Sequence, residues 1–142
     1  EKKVSVYVTD FPTEETVGEA GIINIPHLGA STNESEDHCA IMAAQQLDAY
    51  LTTGNIQNSV NFPNVSLAVS AEHRICVMHK NIPNMLSQIT GAFSTVNTNI
   101  ENMANGSKGD VAYTIVETND AIDEKTIETV MAIDGVFKVK CY

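Results

Sequence analysis

The stretch that decides the fold of the C-terminal half is Arg74–Val96, RICVMHKNIPNMLSQITGAFSTV. Its first five residues, Arg74–Met78, have the alternation and β-branched content of a strand. Pro83 follows, and proline is favoured in the first turn of a helix because it lacks an N–H. The stretch therefore predicts a strand followed directly by an amphipathic helix, whose apolar positions recur at helical spacing: Leu86, Ile89, Phe93 and Val96.

The residues that follow continue this pattern of short elements. Asn99–Met103 and Val111–Glu117 are predicted strands, and the turn-forming residues Asn105–Gly109 between them indicate a β-hairpin. A second helix and a last strand are then predicted on either side of Gly135. The order βαββαβ is typical of an α+β, ferredoxin-like domain, in which two helices cover one face of a four-stranded antiparallel sheet.

The beginning of the chain is organised differently. Lys3–Val8 and Gly21–Ile25 are predicted as short strands, each followed by a proline. Ser31 and Glu34 have the spacing of a capping box, which predicts a helix over residues 32–53. Gly54 is placed to end that helix in the left-handed conformation.

An asparagine-rich segment, Asn55–Asn64, lacks periodicity and predicts a linker. We therefore predict two domains. Residues 1–64 form a strand–loop–helix arm, and residues 65–142 form the ferredoxin-like domain, which begins with an additional short strand at Val65–Val69.

Composition limits the class of function. Lys and Arg total 8 against 18 Asp and Glu, so the formal net charge is -10, and this charge disfavours binding to nucleic acid or anionic membranes. No apolar stretch approaches the roughly 20 residues that a membrane-spanning helix needs. The sequence predicts a cytoplasmic protein. Its three cysteines are far apart, without a CxxC pair, so we expect buried free thiols and no metal site; a metal or thiol-redox protein is the weakest alternative.

Two parts of the sequence resemble one known family. Pro26-His27-Leu28-Gly29-Ala30-Ser31-Thr32 resembles the last block of the D-isomer-specific 2-hydroxyacid dehydrogenases, and Val60-Asn61-Phe62-Pro63 resembles the junction before their regulatory domain. Val77–Leu86 followed by Asn97–Ile100 resembles the ACT domain, an amino-acid-sensing module, of the members that oxidise phosphoglycerate. The resemblance covers essentially the whole chain and implies the C-terminal part of such an enzyme.

For the first 64 residues the resemblance implies a remnant of the catalytic region of an NAD-dependent enzyme of serine biosynthesis that converts 3-phosphoglycerate to 3-phosphohydroxypyruvate. His27 is implied to be the catalytic residue that exchanges a proton with the substrate hydroxyl. The resemblance places its acidic partner and the substrate-binding arginine upstream. No GxGxxG follows a strand in this sequence, so the NAD-binding residues stay unknown and the chain alone is expected to be inactive.

For residues 65–142 the resemblance implies an effector site. Residues matching His79, Asn81 and Asn99 are implied to contact L-serine, which binds between two ACT domains of a homodimer or higher homo-oligomer. Backbone N–H groups at the start of the predicted helix favour a small carboxylate at the same place. The Pro-Gly usual in the family is Pro83-Asn84 in this sequence, and asparagine tolerates the left-handed conformation better than other non-glycine residues.

Alternatives remain open for the C-terminal domain. One alternative is that it binds L-serine or another small amino acid. The other is that it contributes only to the assembly of the homo-oligomer. A different class of function is a stand-alone amino-acid-binding or oligomerisation module, in which His27 has no catalytic role.

Overall fold

The computed structural model describes residues 4–142, so Lys3, the predicted first residue of the opening strand, lies outside the described residues. The chain divides into two compact units, and the division falls between Ala43 and Ala44. The predicted boundary between residues 64 and 65 stays a prediction. None of the helices within residues 4–142 is long and apolar enough to cross a membrane.

The first unit contains two short parallel strands. β1 (Tyr7–Thr9) pairs with β2 (Ile22–Asn24), with Tyr7 beside Ile22. They match the positions of the two predicted strands, although each has only 3 residues. A two-stranded pair buries little apolar surface. Large apolar side chains of this unit accordingly remain exposed, among them Val6, Val8, Phe11 and Ile23.

Helix α1 (Asn33–Thr53) matches the predicted helix to within one residue, but its cap is different. The hydroxyl of Thr32 accepts a hydrogen bond from the backbone N–H of Ser35 at 3.2 Å. The predicted capping box of Ser31 and Glu34 is therefore wrong by one position. The physical reason is a preceding turn, which Ser31 closes by donating its own N–H to the Leu28 carbonyl at 3.0 Å.

The end of α1 is as predicted. Gly54 has a left-handed φ of 73° and donates its N–H to the Tyr50 carbonyl at 3.1 Å. A Cβ at Gly54 would lie only 2.8 Å from the Tyr142 ring and would also collide with the Cys76 sulfur. Glycine is thus required at this position both for its backbone conformation and for space.

The second unit is built on a four-stranded antiparallel sheet. Its elements follow in the order β3 (His73–Lys80), α2 (Met85–Thr95), β4 (Asn102–Lys108), β5 (Val111–Thr118), α3 (Glu124–Met131) and β6 (Val136–Cys141). The spatial order of the strands is β4-β5-β3-β6, and every neighbouring pair is antiparallel. This confirms the predicted α+β, ferredoxin-like βαββαβ arrangement.

Apolar side chains pack on both faces of this sheet. Because side chains alternate along a strand, Ile75 and Val77 of β3 face the helices, whereas Cys76 and Met78 face the other side. The helix-covered core contains Ile75, Val77, Ile89, Ala92, Phe93, Val116 and Val130. The opposite core contains Ile56, Val65, Cys76, Met78, Tyr113 and Ile115. The segment between α1 and β3 thus covers the second face of the sheet.

Two predictions in this unit are wrong. Val65–Val69 is not a strand, since Val65 makes only an isolated antiparallel bridge with Ile56. The hairpin turn does not begin at Asn105, because residues up to Lys108 pair with β5. Pairing with β5 outweighs the local turn preference of asparagine and glycine in this segment. The turn lies instead at Gly109-Asp110, where Gly109 has a left-handed φ of 58°.

Tyr113 links β5 to the end of α1. Its side chain is fully buried, and its hydroxyl donates to the Gly54 carbonyl at 2.7 Å. Burial raises the pKa of Tyr113, so the hydroxyl remains a donor well above neutral pH. We expect Tyr113→Phe to lower the free energy of unfolding by about 1–3 kcal/mol, because the buried carbonyl loses its donor. Urea unfolding followed by circular dichroism measures this loss.

Tyr142→Phe is the matched control. The Tyr142 hydroxyl donates to the Tyr50 carbonyl at 2.6 Å, but the side chain is only half-buried. Water can replace that donor, so a smaller loss is expected. Equal losses in Tyr113→Phe and Tyr142→Phe would contradict the role given to burial.

Candidate functional sites

His27 and Asp10 come together at the ends of the two parallel strands. Asp10 directly follows β1, and His27 lies three residues beyond the end of β2. The Nδ1 atom of His27 is 3.0 Å from Oδ2 of Asp10, and the side chains are 58% and 39% exposed. The ring of Phe11 packs against the imidazole at a centroid distance of 4.5 Å. The pair is therefore positioned by local structure and open to solvent.

This pairing fixes which nitrogen of a neutral His27 carries the proton. A carboxylate only accepts, so Nδ1–H donates to Asp10 and the lone pair remains on Nε2. An imidazole held in this way can take up a proton at Nε2 and return it. The family resemblance places the acidic partner upstream, whereas the structure shows a carboxylate within the chain. In the sequence, this contact was indicated by the positions of Asp10 and His27, each of which follows a predicted strand.

A second candidate site is a cavity of about 240 Å³, hereafter the His79 cavity, where β3 ends and α2 begins. Met85, Leu86 and Ser87, from the first turn of α2, line it. N–H groups in the first turn of a helix have no intrahelical acceptor, and Asn84, the N-cap, gives no side-chain cap. The remaining lining residues are His79, Asn81, Ile82, Asn84, Asn105 and Ala112. Backbone donors and amide side chains together suit a small ligand with a carboxylate.

The structure brings His79 and Asn81 into this cavity, as the resemblance implies, but their polar atoms differ in availability. Both ring nitrogens of His79 have partners, because Nδ1 lies 2.8 Å from the Lys80 carbonyl and Nε2 lies 2.8 Å from Thr114 Oγ1. Asn81 donates its side-chain Nδ2 to the Gly109 carbonyl at 3.0 Å, which leaves its Oδ1 as an acceptor. Asn81 can therefore contact a ligand directly, and His79 is already engaged.

Asn99 does not line the His79 cavity. It lies beside the C-terminal end of α2, in a separate cavity of about 450 Å³ that Thr90 and Ser94 also line. Its Nδ2 donates to the Glu101 carboxylate at 2.9 Å. Within one chain the structure therefore does not bring Asn99 to His79 and Asn81. A shared ligand would require Asn99 from a second copy.

Asn84 has a left-handed φ of 68° at the start of α2, so the expectation that asparagine tolerates this conformation is confirmed. Its side chain lines the His79 cavity. We expect Asn84→Gly to strengthen amino-acid binding by up to about tenfold, because the cavity gains space and no side chain must be ordered. The free energy of unfolding should change by less than about 1 kcal/mol. Isothermal titration and thermal unfolding measure the two quantities.

Asn97→Gly controls for the backbone effect. Asn97 is also left-handed, with a φ of 58°, but lies outside the His79 cavity. Its replacement should leave affinity unchanged. If Asn84→Gly also leaves affinity unchanged, the Asn84 side chain does not obstruct the site.

The cysteines differ from expectation. Cys76 is buried, and burial raises the pKa of its thiol. Cys39 and Cys141 are exposed, so the prediction of buried thiols is wrong for these two. Cys39 lies on α1, which has no fully buried residue, and Cys141 lies on the edge strand β6. Among residues 4–142, no three or more His, Cys, Asp or Glu side chains cluster as a metal site requires.

Known proteins relate most of the chain to one group of enzymes, although no protein-family model matches it. It is 34% identical over 123 residues to D-3-phosphoglycerate dehydrogenase 1 of Saccharomyces cerevisiae, and 31% identical over 125 residues to D-3-phosphoglycerate dehydrogenase of Haemophilus influenzae. The Escherichia coli D-3-phosphoglycerate dehydrogenase is 26% identical over 121 residues. These alignments cover 83%, 84% and 84% of this chain. The chain is a homologue of the D-3-phosphoglycerate dehydrogenases. It spans only 26%, 29% and 30% of the length of these three relatives.

Solved structures that match about half of the chain include an ACT domain and a regulatory subunit. The ACT domain from GTP pyrophosphokinase of Chlorobium tepidum matches with a TM-score of 0.44 and 22% identity, over 49% of this chain and 95% of that domain. The regulatory subunit of aspartate kinase from Thermus thermophilus matches with a TM-score of 0.44 and 16% identity, over 57% of this chain and 56% of that subunit. The ferredoxin-like assignment rests on the strand order given above and not on these two matches.

The described residues do not fit the dinucleotide that a phosphoglycerate dehydrogenase of this type would use. A pyrophosphate is held by closely spaced glycines between a strand and a helix. The loop from β2 to α1 contains only Gly29. The loop from β2 to α1 therefore does not form an NAD-binding cradle.

Proposed function

We propose that this chain is the C-terminal regulatory part of an NAD-dependent D-3-phosphoglycerate dehydrogenase, which oxidises 3-phosphoglycerate to 3-phosphohydroxypyruvate in serine biosynthesis. In this proposal residues 65–142 are an ACT domain that binds L-serine. The observation that carries it is the His79 cavity, which occurs in a ferredoxin-like domain of a chain homologous to these enzymes.

The lining of the cavity suits an α-amino acid. The N–H groups at the start of α2 are donors for a carboxylate, and the positive end of the helix macrodipole favours its charge. Oδ1 of Asn81 is an acceptor for an ammonium group. A volume of about 240 Å³ lies below the range of roughly 300–1,000 Å³ that is usual for drug-sized ligands, which favours a small amino acid.

A homodimer completes the site in this proposal. β4 and β6 are the two edges of the sheet, and edge strands can pair with a second copy. Two ACT domains side by side would let Asn99 of one copy approach a ligand in the cavity that His79 and Asn81 of the other copy line. This accounts for the position of Asn99 outside the His79 cavity of its own chain.

His27 is the catalytic residue contributed by this part of the enzyme in the same proposal. Its Nε2 exchanges a proton with the substrate hydroxyl, and Asp10 holds Nδ1–H and stabilises the protonated ring. The rest of the enzyme supplies the NAD site and the group that holds the substrate carboxylate.

Isothermal titration of L-serine into the protein tests the sensor role, with glycine and D-serine as competing ligands. We expect saturable binding that prefers L-serine and that is lost in Asn81→Ala, and weakened binding in Asn99→Ala. Binding should also be weakened in His79→Ala, for which His73→Ala is the matched control, because both histidines lie on β3 but only His79 lines the cavity. The absence of saturable binding at millimolar L-serine would contradict the proposal. It would favour a domain that contributes only to the assembly of the oligomer.

A further inference from the structure

A cavity of about 380 Å³, hereafter the Phe62 cavity, lies in the second unit between the last turns of α1 and the segment before β3. Ile56 and Met78 line it, and both belong to the core on the sheet face opposite the helices. The half-buried rings of Tyr50 and Phe62 line it as well. Apolar walls with a few polar groups, in a volume of roughly 300–1,000 Å³, are typical of small-molecule sites. The cavity shares no lining residue with the His79 cavity.

Asn55 gives the Phe62 cavity a hydrogen-bond donor. Its Oδ1 accepts from the backbone N–H of Leu67 at 3.0 Å and from the Arg74 guanidinium at 3.3 Å. Both partners can only donate, so these bonds fix which atom of the Asn55 amide is the oxygen. They are the hydrogen bonds of this side chain within residues 4–142, so its Nδ2 remains as a donor. Asn55 lines the cavity, and a carbonyl group of a ligand suits this donor.

The lining of the Phe62 cavity is neutral. None of the described residues that line it is acidic or basic. The ammonium of Lys140 lies 5.0 Å from the centroid of the Tyr50 ring, but Lys140 does not line the cavity. A charged ligand would therefore lose its hydration there without gaining an ion pair, which is unfavourable for either sign of charge. A neutral ligand has no such cost.

We propose that the Phe62 cavity is a second ligand site, which binds a neutral aromatic molecule with a carbonyl group, such as an aromatic amide. The ring of the ligand packs against the aromatic side chains of Tyr50 and Phe62. Its carbonyl accepts from Nδ2 of Asn55. This inference does not depend on the proposed binding of an amino acid, because the two cavities have different linings.

Benzamide, benzoate and benzamidine are suitable probes, because they have nearly the same shape and differ in charge. Nuclear magnetic resonance of labelled methionine methyl groups distinguishes the two cavities, since Met78 lines the Phe62 cavity and Met85 lines the His79 cavity. Benzamide should shift the Met78 signal saturably and leave the Met85 signal unchanged. Benzoate and benzamidine should bind at least about tenfold more weakly than benzamide, because their charges find no partner.

Two variants test the position and the chemistry of the site. Leu47→Trp should weaken benzamide binding about tenfold or more, because the larger ring occupies part of the cavity. Leu51→Trp is the matched control, because Leu51 lies on the same helix with 56% exposure against 58% for Leu47, and does not line the cavity. Asn55→Asp keeps an oxygen for Leu67 and Arg74 but replaces the donor by an acceptor. The preference for benzamide over benzamidine should therefore fall about tenfold or more.

Three results would overturn the inference. The first is a Met78 signal that does not respond to millimolar benzamide, and the second is equal affinity for the three probes. The third is a Met78 signal that changes with protein concentration alone, because a second copy would then cover the cavity. A shift of the Met85 signal by L-serine is independent of these results, so the proposed function and this inference can fail separately.

Discussion

Replacing Arg74 by alanine is expected to lower the free energy of unfolding by about 3–5 kcal/mol, because it leaves a buried carboxylate without its cation. Arg74 is 3% exposed and Glu117 is fully buried. Nε of Arg74 donates to Glu117 Oε1 at 3.1 Å. The same guanidinium donates to the carbonyls of Thr53 at 2.7 Å and Leu67 at 2.9 Å. Arg74→Ala therefore also removes donors from the end of α1 and from the segment that precedes β3.

Urea unfolding followed by circular dichroism measures this loss. Lys138→Ala is the control, because Lys138 is an exposed basic residue on the same sheet and should change the stability by less than about 0.5 kcal/mol. A joint replacement of Arg74 by Met and Glu117 by Leu should cost far less than Arg74→Ala, since no charge is then left buried. A loss below about 1 kcal/mol in Arg74→Ala would show that water reaches Glu117 in the folded protein.

Glu117 adds a pH dependence to the same experiment. Burial alone raises the pKa of Glu117, but hydrogen bonds from Arg74 and Ser70 outweigh it and hold the pKa below its ordinary value of 4.5. A carboxyl with a lower pKa in the folded state stabilises the protein fully above the unfolded value, and this contribution is lost as pH falls through the folded value. Stability should therefore decline as pH falls below about 4.5, and Arg74→Ala should reduce that part of the decline.

Periodicity predicted the elements of the second unit well because their apolar faces match the two cores. Phe93 and Val130 each lie on the buried side of a helix whose spacing is visible in the sequence. The hairpin turn was harder to predict, since Asn105 and Gly106 are turn-forming residues by local preference. Their strand conformation depends on pairing with Thr114 and Tyr113 of β5, which only the folded sheet supplies.

The geometry of the candidate sites, like the hairpin turn, could be predicted only in part from the sequence. His79 and Asn81 could be located from the sequence because they end a strand and precede a helix. The sequence could not predict that both His79 nitrogens have hydrogen-bond partners, because one partner is Thr114, 35 residues away along the chain. Asp10 is a similar case: its contact with His27 depends on the parallel pairing of β1 with β2. Resemblance to a family indicates residue types at a site, whereas hydrogen-bond partners depend on the register of this particular chain.

If the proposed function holds, His27→Gln in the proposed full-length enzyme is expected to lower kcat for 3-phosphoglycerate oxidation by about 10²–10⁴-fold, the usual range for loss of a general acid–base group. Glutamine can still form hydrogen bonds but cannot exchange a proton at neutral pH. Asp10→Asn should lower kcat less, by about tenfold, because the amide can still contact Nδ1 but no longer stabilises the protonated ring. Steady-state NADH formation measures both.

His38→Gln is the matched control for His27→Gln, because His38 is an exposed histidine on α1 and should leave kcat unchanged. L-Serine binding should also be unchanged in His27→Gln, since His27 does not line the His79 cavity. Measuring kcat and L-serine binding in the same variant separates the proposed catalytic role from the proposed amino-acid-sensing role. Full activity in His27→Gln would remove the catalytic role and leave amino-acid sensing intact. Loss of activity together with loss of L-serine binding would indicate a folding defect, which thermal unfolding of the variant would reveal.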